Sequence, residues 1–370
     1  MPTIIEISSY AALALGIFLL YLLISRTRKW QISKIRYSRE FSAKGVFEGQ
    51  KVVLIEHIYN PTFLPIFFLD MEAFIHSDLS VETVSGGGGS SGEMQYLVSR
   101  FHLMPHARIK RSHNVTCLAR GYYSISTVST FNFGKEVVFD APAELYVYPK
   151  LSDFSSLPRP QNNLQGDAVS ARRLLTDPFS LSGIRDYQSG DPFNLINFKA
   201  TAKYGLGSIK VNQRDFSSSR IFMIYINFQT DVNVTMPTEK YERLMEKALS
   251  DSATIIQNAL ESGYHVGFSV NCYMVNGDYY MRYPLTAGNY SFEEMLTAMA
   301  KIRARVGVSF LSLTDFDIAD GLTDAEILIF TSYVDDIIDQ QMSKFEQNGN
   351  AVHLVLLEDE EEDGSAPQNK

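Results

Sequence analysis

Hydrophobic and polar positions fall into three regimes along the chain. The first is one continuous apolar run, Ile4 to Ile24, in which Ala11 to Ile24 is apolar apart from Tyr21. A bilayer-spanning helix needs about 20 such residues, so this run is expected to form an N-terminal transmembrane helix. From about Gln31 to Pro149 the pattern changes to short β-prone runs, among them Val52–Ile55, Phe67–Leu69, Val115–Leu118, Tyr122–Val128, Glu136–Phe139 and Glu144–Val147. Gly, Asn, Pro or Asp separate them, the spacing of a small all-β sandwich. The glycine-serine run Ser85 to Ser91 reads as a flexible tip inserted within it.

Beyond Asn212 continuous apolar runs alternate with helical periodicity. Ile221–Ile226, His265–Met274, Ala325–Phe330 and Ala351–Leu357 read as strands. Thr238–Gly263, Ser291–Arg303 and Ser332–Asn348 read as helices, the second opening on Ser291-x-x-Glu294 in the manner of a capping box. Such alternation predicts a doubly wound α/β sheet covered on both faces. The expected division is 1–29 anchor and basic flank, 30–149 β domain, 150–181 polar connector, 182–212 a motif-bearing segment, 213–357 α/β domain, and 358–370 an acidic disordered tail.

Charge sets the expected orientation. Glu6 precedes the apolar run, whereas Arg26, Arg28, Lys29, Lys34 and Arg36 follow it. By the positive-inside rule the N-terminus lies outside, and the later domains are cytoplasmic parts of a single-pass cell-membrane protein. The lipid bilayer is then the first partner, met through Ile4 to Ile24. A net charge of −9 excludes the basic surface that a nucleic-acid partner requires. Cys117 and Cys272 lack a C-x-x-C partner and read as isolated thiols.

The densest stretch is Ser182 to Lys203. Ser182-Gly183 makes a turn, Ile184 to Tyr187 is charged and aromatic, and Gln188-Ser189-Gly190 turns again. Asp191-Pro192 then has the chemistry of a helix start, Asp capping and Pro at the first position. The order Gly183-x-Arg185-x-Tyr187-x-x-Gly190-Asp191, continued by Ile196 and Thr201-Ala202-Lys203, resembles the signature of the bacterial family catalogued as domain of unknown function number 58. Asn194 and Phe198 stand where that family usually has Arg and Trp. The resemblance implies that the α/β half is like a von Willebrand factor A-type domain, and that the working partner is a MoxR-type AAA+ ATPase.

Candidate chemistry is sparse. Metal-binding A-type domains carry Asp-x-Ser-x-Ser after the first strand, whereas this chain reads Asn227-Phe-Gln229-Thr-Asp231. The carboxylate that offsets dehydration of Mg²⁺ has become an amide, so the expectation is a degenerate site holding no cation. No H-E-x-x-H, H-x-H, Cys/His cluster or G-x-x-x-x-G-K-[ST] loop is present. The expected function is a non-enzymatic, membrane-anchored scaffold working with the ATPase in a cell-envelope or assembly task. The interaction residues are then Gly183, Arg185, Tyr187, Gly190, Asp191, Asn194, Phe198, Thr201, Ala202 and Lys203. The alternatives are a hydrolase built on Arg185, Asp186, Tyr187 and Asp191, and a metal-dependent adhesion module.

Overall fold

The computed structural model describes residues 4–82, 90–91, 94–132, 135–153, 157, 181–187, 199, 201, 203, 209–214, 221–231, 238–285 and 290–358. They divide into two compact units, Met1–Lys150 and Leu151–Lys370. The expected 30–149 sandwich falls within the first. Much of the 150–181 connector, the Ser85–Gly89 tip and the tail beyond Glu358 lie outside the described residues.

The first unit opens with helix α1, Ile4–Lys34, which stands exposed at every residue from Ala12 to Ile24. Among the described residues no helix is long and apolar enough to cross a membrane. The last turns are committed elsewhere. Ile32 is buried in the core of this unit, Gln31 donates to the Pro65 carbonyl at 3.2 Å, and Arg28 reaches the carbonyls of Phe67 and Phe68 at 3.5 Å. On the absence of such a helix the expected transmembrane anchor is corrected, and with it the single-pass topology and the cell-membrane location.

Ten strands follow: β1 Arg36–Phe41, β2 Gly45–Phe47, β3 Lys51–Tyr59, β4 Ile66–His76, β5 Leu79–Val81, β6 Ser90–Ser91, β7 Met94–Leu103, β8 Arg108–Cys117, β9 Gly121–Asn132 and β10 Lys135–Tyr148. One sheet has the order β1-β3-β8-β5, the other β2-β10-β9-β4-β7-β6. Strict alternation along β3 turns Val52, Leu54 and Ile58 inward, where they meet side chains of β4 and β7 from the other sheet. Pro142 falls where the β9–β10 register shifts, the place in a ladder that tolerates a missing N–H.

Between these sheets lies a buried ionisable group. Glu56, 2 % exposed, accepts from the hydroxyls of Tyr37 at 2.5 Å and Ser99 at 2.8 Å, with His113 Nε2 at 2.9 Å. Ser99 Oγ approaches that same ring nitrogen at 3.4 Å. A catalytic triad needs nucleophile and acid on opposite nitrogens, so the cluster is a structural clamp joining β1, β3, β7 and β8. Burial alone would raise the Glu56 pKa, but hydrogen bonds from His113, Tyr37 and Ser99 outweigh it and hold the carboxyl below its ordinary range.

The second unit holds the hairpin β11 Leu181–Asp186 with β12 Lys210–Arg214, and then β13 Ile221–Ile226, α2 Thr238–Glu261, β14 His265–Val270, β15 Cys272–Met274 and β16 Met281–Tyr283. It continues with α3 Phe292–Ala300, β17 Ile302–Val306, α4 Phe310–Ala319, β18 Ala325–Thr331, α5 Asp336–Gln347 and β19 Ala351–Leu356. The main sheet has the order β16-β14-β13-β18-β19, in which β16 runs antiparallel to the other four. β13 is central and its side chains from Phe222 onward are fully buried.

The regular winding expected of a von Willebrand A-type sheet is not what forms. Between β14 and β18 the chain makes an antiparallel edge strand, a separate β15–β17 ribbon and two helices instead of one crossover helix. Taken over the two units together, the described residues hold more strand than helix. Two local differences explain the departure. The helix expected to reach Arg303 ends at Ala300 because Ile302 joins the ribbon opposite Met274. Helix α4, capped by Ser309, fills a stretch with no expected element.

The lowered Glu56 pKa has a sign. Its stabilisation is complete above the unfolded carboxyl value of about 4.3 and is lost as pH falls through the folded value. Glu56→Gln should cost about 1–3 kcal/mol at pH 7 and flatten the acid limb of stability. Urea titrations from pH 7 to pH 3 measure both, and a variant that keeps the wild-type acid limb would show that Glu56 is not the group responsible.

Candidate functional site

Strands β13, β14 and β18 end side by side, and each end carries a buried polar residue: Asn227, Asn271 and Thr331. Carboxyl ends of parallel strands at the point where strand order reverses are where open α/β sheets bind ligands. Here the reversal lies between β13 and β18. The β-branched and aromatic run before Asn227 drives β13 into the core, and the chain then leaves the sheet through amides instead of carboxylates.

The amides satisfy one another. Asn227 Oδ1 accepts from Asn271 Nδ2 at 2.9 Å and from the Gln229 backbone N–H at 3.0 Å. Asn227 Nδ2 donates to Thr331 Oγ1 at 3.3 Å, and that hydroxyl donates to the Tyr333 carbonyl at 2.9 Å. Asn271 Oδ1 accepts from the Phe228 N–H at 2.7 Å. Gln229 Oε1 accepts from the Phe310 N–H at 2.6 Å, and so satisfies a free donor at the start of α4. The Tyr241 hydroxyl closes the loop from outside by donating to the Phe228 carbonyl at 2.5 Å.

Of the expected degenerate metal position, then, Asn227 and Gln229 have their oxygens committed within the protein. Asp231 lines a pocket of about 300 Å³ together with Ser309, Leu311, Tyr333, Asp335 and Ile337. Asp335 is itself engaged, accepting from the Ile338 N–H at 2.8 Å as the cap of α5. Burial pushes the Tyr333 phenol up, a hydrogen bond with Asn227 acts in the opposite sense, and the charges of Asp335 and Asp231 add to the rise. Among the described residues no group of three His, Cys, Asp or Glu is placed to hold a metal ion.

The sequence-selected segment is placed only in part. Gly183 and Arg185 lie on β11, paired with β12 through Gln213 and Val211. Tyr187 follows, half-buried, its N–H donating to the Ile209 carbonyl at 2.8 Å. Thr201 Oγ1 accepts from the Lys210 N–H at 2.9 Å, and Lys203 is exposed. Gly190, Asp191, Asn194, Phe198 and Ala202 lie outside the described residues, as does most of the helix expected after Asp191, of which Lys199, Thr201 and Lys203 are described and helical. Of the four residues Arg185, Asp186, Tyr187 and Asp191, the first three are described and Asp191 lies outside the described residues.

Sequence reasoning missed Asn271, Thr331 and Tyr333, which surround the position it chose. It also missed a second buried polar group in this unit. The Tyr225 hydroxyl donates to Asp317 at 2.6 Å, and Arg282 pairs with the other Asp317 oxygen at 2.7 Å and with Asp320. Burial lowers the Arg282 pKa, but Asp317 and Asp320 outweigh it and leave it raised.

No family model matches the chain, and no curated protein matches it. Solved structures match about a third of it. An alkylpurine DNA glycosylase from Pseudomonas fluorescens, bound to DNA containing an abasic site analog, is 13 % identical over 31 % of this chain and 30 % of its own, with a TM-score of 0.21. The CARDB domain of a Pyrococcus furiosus protein is 14 % identical over 30 % of this chain and 91 % of its own, at 0.22. A non-cellulosomal cohesin from Archaeoglobus fulgidus is 8 % identical over the same shares, also at 0.22. Likenesses this slight carry no argument about activity or partner.

Asn227→Ala should strand the Asn271 amide and the Gln229 N–H, at about 1–3 kcal/mol for each orphaned group. Thermal unfolding measures the loss. A variant as stable as wild type would show that the amide network is not a structural closure of the sheet end.

Proposed function

We propose that the chain is a non-enzymatic interaction scaffold that presents the carboxyl end of its parallel strands to a partner protein. The observation that carries the reading is the composition of that surface. Leu311 and Ile337 are 38 % and 48 % exposed at a pocket whose deeper polar groups are already bonded to one another. Exposed apolar side chains with an acidic rim, here Asp231 and Asp335, mark a recognition surface more readily than a reaction centre. A reaction centre needs polar groups left free to meet a substrate.

The partner follows from the resemblance of Gly183 to Lys203 to domain of unknown function family 58, which implies a MoxR-type AAA+ ATPase. Under this reading the scaffold couples ATP-driven remodelling by that enzyme to the assembly of a client. The pairing of β11 with β12, which holds Gly183 to Asp186 in a strand, is consistent with an ordered start to that segment.

Biolayer interferometry between the full chain and a purified MoxR-type ATPase, with ATP or ADP present, tests the proposal. Leu311→Asp and Ile337→Asp should each weaken binding about tenfold or more, as expected of central apolar contacts. Absence of binding by the wild-type chain, or unchanged binding by the double variant, would reject it.

A further inference from the structure

A second concave surface in the Leu151–Lys370 unit shares no residue with the switch-point pocket. It is a groove of about 1020 Å³ between the turn leading into β16 and the exposed face of α3. Its floor is aromatic. Tyr279 and Tyr280 remain 56 % and 39 % exposed although each is braced by a second ring. Tyr280 stacks on Phe316 at 5.5 Å and 27°, and Tyr279 packs on Tyr273 at 5.0 Å. Tyr283 meets Tyr290 edge-on at 4.6 Å, and the Tyr290 hydroxyl donates to the Pro284 carbonyl at 3.2 Å.

The backbone under these rings is fixed as well. Gly277, at φ +95°, allows the turn, Met274 N–H donates to the Asp278 carbonyl at 2.8 Å, and Gly307 lies so close to the Tyr279 carbonyl that no Cβ would fit. Exposed rings held in place before any ligand arrives reduce the ordering cost of binding. The charges around them are unequal. Asp278, Glu293 and Glu294 line the groove, Asp278 accepting from Asn276 at 2.6 Å and Glu294 from the Ser291 N–H at 2.8 Å, and of its two cations Arg282 is held by Asp317 and Asp320.

We propose that this groove binds a proline-rich, arginine-bearing peptide segment in the polyproline II conformation. The two exposed, braced tyrosines, Tyr279 and Tyr280, offer ring surface for pyrrolidine rings, with the half-buried Tyr283 beside them, and their hydroxyls can donate to the solvated carbonyls of such a helix. The acidic rim fits a guanidinium, which the exposed tyrosine faces also attract. A neutral sugar would use the rings but has no call on the carboxylates, so charge decides for the peptide.

The test is fluorescence polarisation with the full chain and three labelled probes: a twelve-residue proline-rich peptide with two arginines, the same peptide with alanine for proline, and the same with glutamate for arginine. The first should bind saturably and the other two at least about tenfold more weakly. Tyr280→Ala should lower affinity about tenfold, and Asp278→Asn with Glu293→Gln should remove most of its salt dependence. Should Tyr280→Ala unfold, Tyr279→Ser at the more exposed ring serves instead, with thermal unfolding confirming the fold. Equal binding of the alanine probe, binding untouched by both tyrosine variants, or binding of a cello-oligosaccharide in place of every peptide would overturn the proposal.

Discussion

Three parallel strands that end together leave amide N–H and carbonyl groups pointing into a space closed to water, and each must find a partner. In this chain Asn227, Asn271 and Thr331 supply those partners to one another and to the loops behind them. An unmet donor there would cost about as much as a sizeable fraction of a domain's net stability. The arrangement fixes the loop that carries Gln229, and Gln229 in turn fixes the start of α4. The exposed residues of that helix, Leu311 and Phe316, inherit their positions from it. One closed polar network thus orients both surfaces proposed above: Leu311 borders the switch-point pocket, and Phe316 supports the ring of Tyr280 in the groove.

A comparable constraint governs the β unit, with charge in place of amides. Arg39, 5 % exposed, gives its guanidinium to the carbonyls of Ala141 at 2.8 Å and Thr127 at 3.0 Å, across to the opposite sheet. Glu56 performs the reciprocal service for Tyr37, Ser99 and His113. Charges this deep stabilise little against apolar residues of equal volume. What they contribute is register, because a one-residue slip of β1 or β3 would turn Arg39 or Glu56 to the wrong face.

What the sequence made legible was local. The uninterrupted run Ile221–Ile226 could only be a buried strand, and the α2 face with Gly263 at φ +81° announced a helix and its end. The Ser291–Glu294 capping box forms with both reciprocal bonds. The misses share a physical cause, which is dependence on distant chain. Strand β8, rich in Arg, Lys, Ser and His, gives no apolar signal because its residues Arg108 to Asn114 turn one side to water. Asn227 looked like a metal ligand that had lost its charge, since its true partner is 44 residues away. The N-terminal run looked like a membrane span on hydropathy alone; among the described residues no helix is long and apolar enough to cross, and the end of this one docks in the sandwich core at Ile32.

The same reasoning separates surfaces that recognise from surfaces that merely persist. Exposed Phe63, Phe67 and Phe68 border the end of α1, but nothing beside them sets the chemistry of an occupant. The tyrosine groove differs because each of its exposed rings is braced from behind and three carboxylates line it against two cations. Bracing removes entropy that a ligand would otherwise have to remove, and unmatched charge selects among ligands that stack equally well. A surface that meets both conditions has already lost the freedom that binding would take from it, and that is the physical difference between a site and a patch.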